Sequence, residues 1–225
     1  MKITVLCSCG LLIEEGKHSL LFDGLTASSE PFYPIPLDES EKIITGAAPY
    51  ERLHSLYFSH RHTDHFSWKL VKRFAECRGR MEGFVPDKDD PEMLEYGSGD
   101  VCVECWRVPH SGAQFADTPH YVFFVTVGGK SVYITADAEP DLALHRKILD
   151  GRKADAAFYN GQYLSHPETR EFLHEAAEKS FIYHIPIDEE DVSGIRRKCH
   201  RNMERYGAEL PDVTLIEQYP TVIEL

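Results

Sequence analysis

Residues 56–68 constrain the fold of this chain more than any other stretch, because they join an apolar segment to a dense set of metal-binding side chains. The stretch opens with leucine, tyrosine and phenylalanine, which is typical of a buried strand. It continues with His60, His62, Asp64 and His65. Side chains alternate along an extended strand, so His60 and His62 point to one side. Asp64 and His65 follow as the chain turns, and we expect them to face a second point nearby.

The type of ligand narrows the choice of metal. Imidazole and carboxylate suit zinc, iron or manganese, whereas a calcium site is formed by oxygen atoms. One short loop is therefore predicted to bind two metal ions. The alternative interpretation is a solvated polar loop that happens to be rich in histidine.

The stretch resembles the HxHxDH signature of the metallo-β-lactamase superfamily. That family has a later histidine, then a bridging aspartate at the end of a strand, and then a last histidine after another strand. The sequence contains all three in this order, as His110, Asp137 and His184. The resemblance extends from the first hairpin to His184. It implies one domain over residues 1–225, with two sheets face to face and helices outside, an α/β/β/α sandwich.

The resemblance also implies a ligand set for two divalent metal ions, with zinc first and manganese or iron as alternatives. The first ion would be held by His60, His62 and His110, and the second by Asp64, His65 and His184, with Asp137 between them. Three further histidines, at positions 166, 174 and 200, compete with the last of these ligands. None of the three follows an apolar strand.

Three residues are candidates for supporting roles around this site. In the family, an aspartate at the end of an early strand orients the metal-binding loop through hydrogen bonds, and Asp23 is the candidate here. A turn residue before Gly24 is the alternative. Asn160 and Tyr163 follow a predicted buried strand and are candidates for lining the pocket. An ordinary Asn-Gly turn is the alternative for Asn160.

The resemblance implies a metal-dependent hydrolase in which a metal-activated hydroxide attacks a small ester, lactone or phosphodiester. Asp64 would be catalytic, because its second oxygen can steer the hydroxide or pass a proton to the leaving group. Two alternatives remain open. Thiol-handling members of the superfamily use the same signature with one iron as sulfur dioxygenases, and a relative without turnover would only bind metal.

Composition limits the partners. The net charge of −13 argues against a protein that holds long nucleic acid through its phosphates, and favours a small-molecule substrate. No apolar run approaches the roughly 20 residues that a membrane span requires. The first residues enter a strand-like pattern without the features of a signal peptide, so a cytoplasmic location is expected. The oligomeric state stays open.

The rest of the chain alternates between strands and helices. Apolar runs on both sides of Gly128-Gly129 predict a hairpin over residues 121–136. Helices are predicted over 69–78, 142–149 and 189–206, a short strand over 80–85, and an acidic helix with a loop over 87–99. Residues 25–52 are predicted to be irregular, with Phe32 and Tyr33 as a possible wall of the pocket. The pairs Cys7/Cys9 and Cys102/Cys105 are interpreted as reduced core thiols, with a four-thiolate zinc site as the alternative.

Overall fold

The computed structural model describes residues 1–27, 30–79, 82–187 and 191–225. The β-strands of these residues, in chain order, are β1 (Lys2–Val5), β2 (Leu11–Glu15), β3 (His18–Phe22), β4 (Ser55–Tyr57), β5 (Glu82–Phe84), β6 (Met93–Ser98), β7 (Val101–Arg107), β8 (Tyr121–Val127), β9 (Lys130–Ile134), β10 (Ala154–Tyr159), β11 (Ala177–Ile182), β12 (Val213–Leu215) and β13 (Thr221–Glu224). The α-helices are α1 (Leu37–Thr45), α2 (Trp68–Arg78), α3 (Leu142–Leu149), α4 (Pro167–Ala176) and α5 (Ile195–Tyr206).

The strands form two sheets, each of which is part antiparallel and part parallel. The first sheet has the order β13-β1-β2-β3-β4-β5, and its parallel part is β3-β4-β5. The second has the order β12-β11-β10-β9-β8-β7-β6, and its parallel part runs from β9 to β12. Parallel strands run in the same direction, so the carboxyl ends of several strands lie at the same edge of each sheet.

Three apolar cores hold four layers together. The largest lies between the two sheets and contains residues of both, such as Ile13 and Phe123. A second core packs α1 and α2 on the outer face of the first sheet, through Ile43 and Phe74 among others. A third packs α3, α4 and α5 on the outer face of the second sheet. The predicted α/β/β/α sandwich is therefore confirmed.

The candidate ligands follow strands that end at the same edge of the sandwich. His60 follows β4, Asp137 follows β9 and His184 follows β11. His110 follows β7, which runs in the same direction as β9 because both are antiparallel to β8. Asp23 directly follows β3. The parallel pairing thus explains why residues far apart in the sequence meet at one place.

Several local predictions hold. The hairpin of β8 and β9 turns at Gly128 and Gly129, whose φ angles of 59° and 82° are the left-handed values that glycine adopts readily. Helix α3 has the predicted bounds, and α2 begins one residue earlier than predicted. Part of the predicted strand over 80–85 and the beginning of the predicted helix over 189–206 lie outside the described residues. Within the described part, that helix begins at Ile195.

Two segment predictions are wrong. Residues 25–52 contain the helix α1, which begins after Pro36, ends at the left-handed Gly46 and buries Ile43 and Ile44 against the first sheet. The acidic helix predicted within 87–99 is instead the strand β6. Leu94 and Tyr96 pack against the core between the sheets, and β6 pairs with β7 over its whole length. Tertiary contacts therefore outweigh the local helical preference.

The thiols do not form a four-thiolate group among the described residues. Cys105 is buried in the core between the sheets and Cys102 is half-buried, whereas Cys9 is grouped with His65 and His184. None of the helices in the described part of the chain is both long and apolar enough to cross a membrane.

Candidate metal centre

The structure brings all seven sequence-predicted ligands together in two groups that share one residue. Within each group, the atoms able to bind a metal lie within 4.8 Å of one another. The first group consists of His60, His62, His110 and Asp137, and the second of Asp64, His65, Asp137 and His184. The same division is the one that the resemblance to the metallo-β-lactamase superfamily implies.

Asp137 faces both groups. Its Oδ2 atom lies 3.6 Å from Nε2 of His110 and 3.9 Å from Nε2 of His60. Its Oδ1 atom lies 3.2 Å from Nε2 of His184. Oδ2 also lies 3.5 Å from Nε2 of His65, so the carboxylate lies between histidine nitrogens of both groups, as a bridging ligand requires.

The second group is equally compact. Nε2 of His184 lies 3.3 Å from Oδ2 of Asp64 and 3.3 Å from Nε2 of His65. The same Asp64 oxygen lies 3.8 Å from Nε2 of His65. Both histidines are buried, whereas Asp64 is half-buried and borders the cavity described below. One carboxylate of this group is thus accessible to a small molecule.

Hydrogen bonds fix the orientation of three of the imidazoles. Nδ1 of His65 donates to Oδ2 of Asp23 at 2.9 Å. Nδ1 of His110 donates to the carbonyl oxygen of Ser111 at 2.7 Å. Nδ1 of His60 lies 3.0 Å from the hydroxyl of Ser59, which itself donates to Asp23 and therefore accepts from the histidine. In the neutral form of each ring the proton is therefore on Nδ1, and Nε2 can present a lone pair to the cluster.

The residues present fit a pair of cations. Nε2 of His60 and Nε2 of His110 are buried and have no hydrogen-bond partner within the described part of the chain. An unpaired buried nitrogen costs free energy, and a metal ion can accept the lone pair of that nitrogen. The donor set of imidazole and carboxylate is the one that zinc, iron and manganese bind.

The electrostatics of the carboxylates lead to the same conclusion. Burial favours the neutral acid, but His184 and His65 hold the pKa of Asp137 well below its usual range. In the same way, His65 and His184 outweigh burial and lower the pKa of Asp64 to about 2. Both groups are therefore carboxylates at neutral pH. A divalent cation can balance their charge and leave the imidazoles unprotonated and able to bind it.

The histidines respond to their neighbours in opposite ways. Burial lowers the pKa of His60 well below its usual value, and the adjacent His65 lowers it further. Burial also acts against protonation of His184, but Asp137 and Asp64 beside it raise its pKa to about 9. The second ligand group therefore stabilises positive charge more strongly than the first.

Backbone strain is concentrated at this edge of the sandwich. Four non-glycine residues among those described have a left-handed φ, and three of them belong to the site: Asp23 at 46°, Ala136 at 47° and His184 at 56°. Such conformations cost free energy and persist only where the surroundings enforce them. Here they turn the chain sharply after a strand, which directs the ligand side chains into the cluster.

Asp23 lies where the sequence predicted a supporting residue. It is fully buried, and its Oδ1 accepts the backbone N–H of Ser59 at 2.8 Å. Its Oδ2 accepts the Ser59 hydroxyl at 2.6 Å as well as Nδ1 of His65. One carboxylate therefore fixes both the beginning of the metal-binding loop and one ligand ring.

Asn160 and Tyr163 differ in their positions. Asn160 lies at the cavity, and its amide nitrogen donates to the carbonyl oxygens of Ala136 and Ala138, on either side of Asp137. Tyr163 is not among the residues that line the cavity. It is fully buried, with its hydroxyl 2.7 Å from Nε2 of His145, because the short helix after Asn160 turns its side chain into the core.

Sequence analysis missed two residues beside the ligands. His120 is buried, and its Nε2 accepts the backbone N–H of Asp137 at 3.2 Å. Cys9 is also buried, and its thiol contacts the carbonyl oxygen of Asp64 at 2.7 Å and lies near His65 and His184. The only sequence signals were a histidine directly before the hairpin and a cysteine before Gly10. Neither identifies a contact with a residue so distant in the chain.

The three competing histidines lie outside the ligand cluster. His166 lines the cavity, whereas Nε2 of His174 contacts the carbonyl oxygen of Glu209 and Nε2 of His200 contacts the carboxylate of Glu217. The structure thus brings His184, rather than any of these three, to the other ligands.

A cavity of about 880 Å³ opens onto the cluster. Its floor includes His62, Asp64 and Asp137, and residues from α4 and α5 form part of its rim. Phe32 borders the cavity and stacks on His184, as expected of a pocket wall. Tyr33 instead stacks on Tyr219 and does not line the cavity.

The protein is similar to several solved structures. The isothiocyanate hydrolase from Delia radicum gut bacteria has a TM-score of 0.65 and 16% identity, and the match covers 100% of this chain and 99% of that one. The metallo-β-lactamase fold protein YhfI from Bacillus subtilis has a TM-score of 0.60 and 18% identity, with 99% of both chains covered. CmlA, a diiron β-hydroxylase from Streptomyces venezuelae, has a TM-score of 0.68 and 11% identity, with 100% of this chain and 54% of that one covered.

Sequence comparison adds nothing to these matches, since no family model matches the chain and none of the curated proteins does. Identities between 11% and 18% carry information about the fold and not about the reaction. The two face-to-face sheets, the outer helices and these structural matches together show that the protein has the metallo-β-lactamase fold.

Proposed function

We propose that the protein is a metal-dependent hydrolase that holds two divalent ions and acts on a small ester, lactone or phosphodiester. Zinc is the first candidate for the ions, and manganese and iron are the alternatives. The observation that carries this proposal is the position of Asp137. Its carboxylate lies within 3.9 Å of histidine nitrogens of both groups, and each group is completed by residues that lie at the same edge of the sandwich.

The chain would hold one ion through His60, His62 and His110 and the other through Asp64, His65 and His184, with Asp137 shared. Two such ions would lower the pKa of a bound water molecule to near neutrality and would supply positive charge for the group under attack. A site of this kind requires no serine or cysteine nucleophile.

The protein's own residues would contribute orientation and proton transfer. Asp64 borders the cavity, and its Oδ2 faces His184 and His65, so its Oδ1 can accept a proton and deliver it to the leaving group. Its low pKa keeps it a deprotonated carboxylate at neutral pH. Asp23 and Ser59 hold His65 and His60 in fixed orientations, which spares the site the cost of ordering them during the reaction.

Iron-dependent oxygen chemistry is the second candidate. The likeness in fold is compatible with both reactions, since CmlA is a diiron β-hydroxylase and the isothiocyanate hydrolase is a hydrolase. The ligand types do not separate the two reactions, because imidazole and carboxylate bind iron as well as zinc. A sulfur dioxygenase with a single iron belongs to the same class of alternative.

Metal content and activity together test the proposal. Protein purified without chelators or metal affinity resins is analysed for bound elements, then assayed against esters, lactones and phosphodiesters. We expect about two zinc or manganese ions per chain and hydrolysis of at least one of these classes. About one iron per chain, with oxygen uptake in the presence of a persulfide, would instead support the second candidate.

A pair of histidine variants makes the assignment specific. His62→Ala removes a ligand of the first group, and we expect loss of one ion and of nearly all activity. His174→Ala is the matched control, because this histidine contacts only Glu209 among the polar groups described for it and lies away from the cluster. Wild-type metal content in His62→Ala would contradict the assignment.

A further inference from the structure

Two phenylalanines cover opposite ends of the ligand cluster. The ring of Phe32 stacks on the ring of His184, with centroids 3.9 Å apart and planes inclined by 28°. The ring of Phe115 lies 4.8 Å from that of His62 and 4.9 Å from that of His110. One ring therefore borders the second ligand group and the other borders the first.

Phe115 is exposed although it lies at the site. It belongs to a short 3-10 helix, Ala113–Phe115, and 36% of its surface is accessible. An aromatic side chain that is left partly exposed loses burial free energy, at about 25 cal/mol for each Å² that stays in contact with water. A ligand that covers the ring would recover this free energy.

The walls beyond the two rings are also apolar. Leu142 at the beginning of α3 and Ile195 at the beginning of α5 line the cavity, together with Pro140. Neutral polar side chains such as Gln114 and Gln162 complete the lining. These surfaces offer packing contacts and hydrogen bonds to a substrate but few full charges.

The charge of the lining disfavours an anionic substrate. Apart from the ligands, the described residues that line the cavity include two carboxylates, Glu139 and Glu168, and one lysine or arginine, Lys198. A phosphodiester or a carboxylate-bearing substrate would meet more negative than positive charge outside the metal cluster. An uncharged substrate avoids this repulsion.

We propose that the substrate is an uncharged ester or lactone, and that Phe32 and Phe115 form an aromatic clamp for its apolar acyl group. This inference rests on the proposed hydrolase function, which it narrows by removing phosphodiesters. The two phenylalanines are then specificity-determining residues: they contact the substrate, and they do not take part in bond breaking.

The first test compares matched substrates. The zinc-loaded protein is assayed with p-nitrophenyl esters of acetic acid, hexanoic acid and adipic acid, the last of which ends in a free carboxylate. We expect kcat/KM for the hexanoyl ester to exceed that for the adipoyl ester at least tenfold. Equal values, or a preference for the adipoyl ester, would overturn the assignment of an uncharged substrate.

The second test uses variants. Phe115→Ala and Phe32→Ala should each lower kcat/KM for the hexanoyl ester at least tenfold and for the acetyl ester less than threefold, with unchanged zinc content. Phe115→Leu should restore part of the loss. The control is Tyr33→Ala, since this aromatic residue is as exposed as Phe115 but stacks on Tyr219 outside the cavity. Equal losses for both esters would show a structural role only.

A binding measurement separates failure of the clamp from failure of the proposed function. Saturation-transfer NMR detects binding of phenylacetamide, an uncharged ligand, to the zinc-loaded protein without any turnover. Binding that is lost in Phe115→Ala and kept in Tyr33→Ala would support the clamp even if no ester were hydrolysed. Binding that is the same in both variants would refute it, whatever the activity of the wild-type protein.

Discussion

Replacement of Asp23 by asparagine tests how the protein orients its metal ligands. The buried carboxylate accepts three hydrogen bonds, two from Ser59 and one from Nδ1 of His65. Asp23→Asn preserves the shape of the side chain but leaves one acceptor oxygen and no charge. The new NH₂ group must face at least one of the three donors. We expect the NH₂ group to replace Oδ2 and to face Nδ1 of His65, because Oδ1 accepts the backbone N–H of Ser59 and must stay an oxygen.

The expected loss can be stated for two quantities. Removing the hydrogen-bonding partner of a ligand costs about 10- to 100-fold in metal affinity. Since a tenfold change corresponds to about 1.4 kcal/mol, this is a loss of roughly 1.4 to 2.8 kcal/mol in binding free energy. A buried donor without an acceptor costs a further 1 to 3 kcal/mol, approximately, in the free energy of unfolding.

The assay measures zinc affinity by competition with a chromophoric chelator and the free energy of unfolding by urea titration of the metal-free protein. Asp155→Asn is a closely matched control. Oδ2 of Asp155 accepts the backbone N–H of Ser131 at 2.7 Å and its hydroxyl at 3.0 Å, the same pair of bonds to a serine, away from the ligands. We expect this variant to lose stability while its zinc affinity stays unchanged. Wild-type zinc affinity in Asp23→Asn, or equal losses of affinity in both variants, would refute the reasoning.

Three further predictions concern other parts of the structure. Burial lowers the pKa of His145 to about 4, whereas an unfolded histidine has a pKa of about 6.5. The unfolded chain therefore binds a proton more readily than the folded protein between these values, and the free energy of unfolding falls as the pH is lowered from 6.5 toward 4. The wild type should lose up to about 3 kcal/mol more than His145→Gln over this range in urea unfolding. Asn160→Ala leaves two carbonyl groups beside Asp137 without their donor. Calorimetry should show a loss of about 2 kcal/mol in the free energy of unfolding, and elemental analysis should show a lower zinc content. Gly83→Ala would place a Cβ 1.8 Å from the carbonyl oxygen of Leu56, at a residue whose φ is 126°. We expect the free energy of unfolding to fall by about 2 to 4 kcal/mol in thermal unfolding. Gly16→Ala is the control and should lose less, because the added Cβ would have open space.

The part of the site that the sequence could predict is the part encoded locally. His60, His62, Asp64 and His65 follow one apolar strand, so their identity and spacing can be read together. His110, Asp137 and His184 were recognisable because each also follows a strand, and because the family pattern gives their order. The layered fold could be predicted for a similar reason, since alternating apolar runs and helical segments determine which faces must be buried.

The remainder depended on contacts between distant residues. Cys9 contacts the backbone of Asp64, 55 residues away, and its sequence neighbours gave no indication of this. Strand β6 lies in an acidic stretch, with Asp90 and Glu92 before it and Glu95 within it, and only its pairing with β7 makes it a strand. Phe115 lies in a short 3-10 helix that has no periodic sequence pattern, so its contacts with His62 and His110 could not be inferred from the sequence.

The buried histidines show which structural criterion separates ligands from structural residues. In His145 both ring nitrogens have partners: Nδ1 lies 2.5 Å from the hydroxyl of Tyr133, and Nε2 donates to the carbonyl oxygen of Glu139. In His60 and His110 one nitrogen is satisfied by the protein, while the other is buried and unpaired among the described residues. Burial alone would group all three together. His120 also has a buried unpaired nitrogen, Nδ1, but it does not belong to either group of ligand atoms. The criterion is therefore an unpaired nitrogen that lies among the other ligand atoms, and His60 and His110, which the sequence pattern had selected on other grounds, meet it.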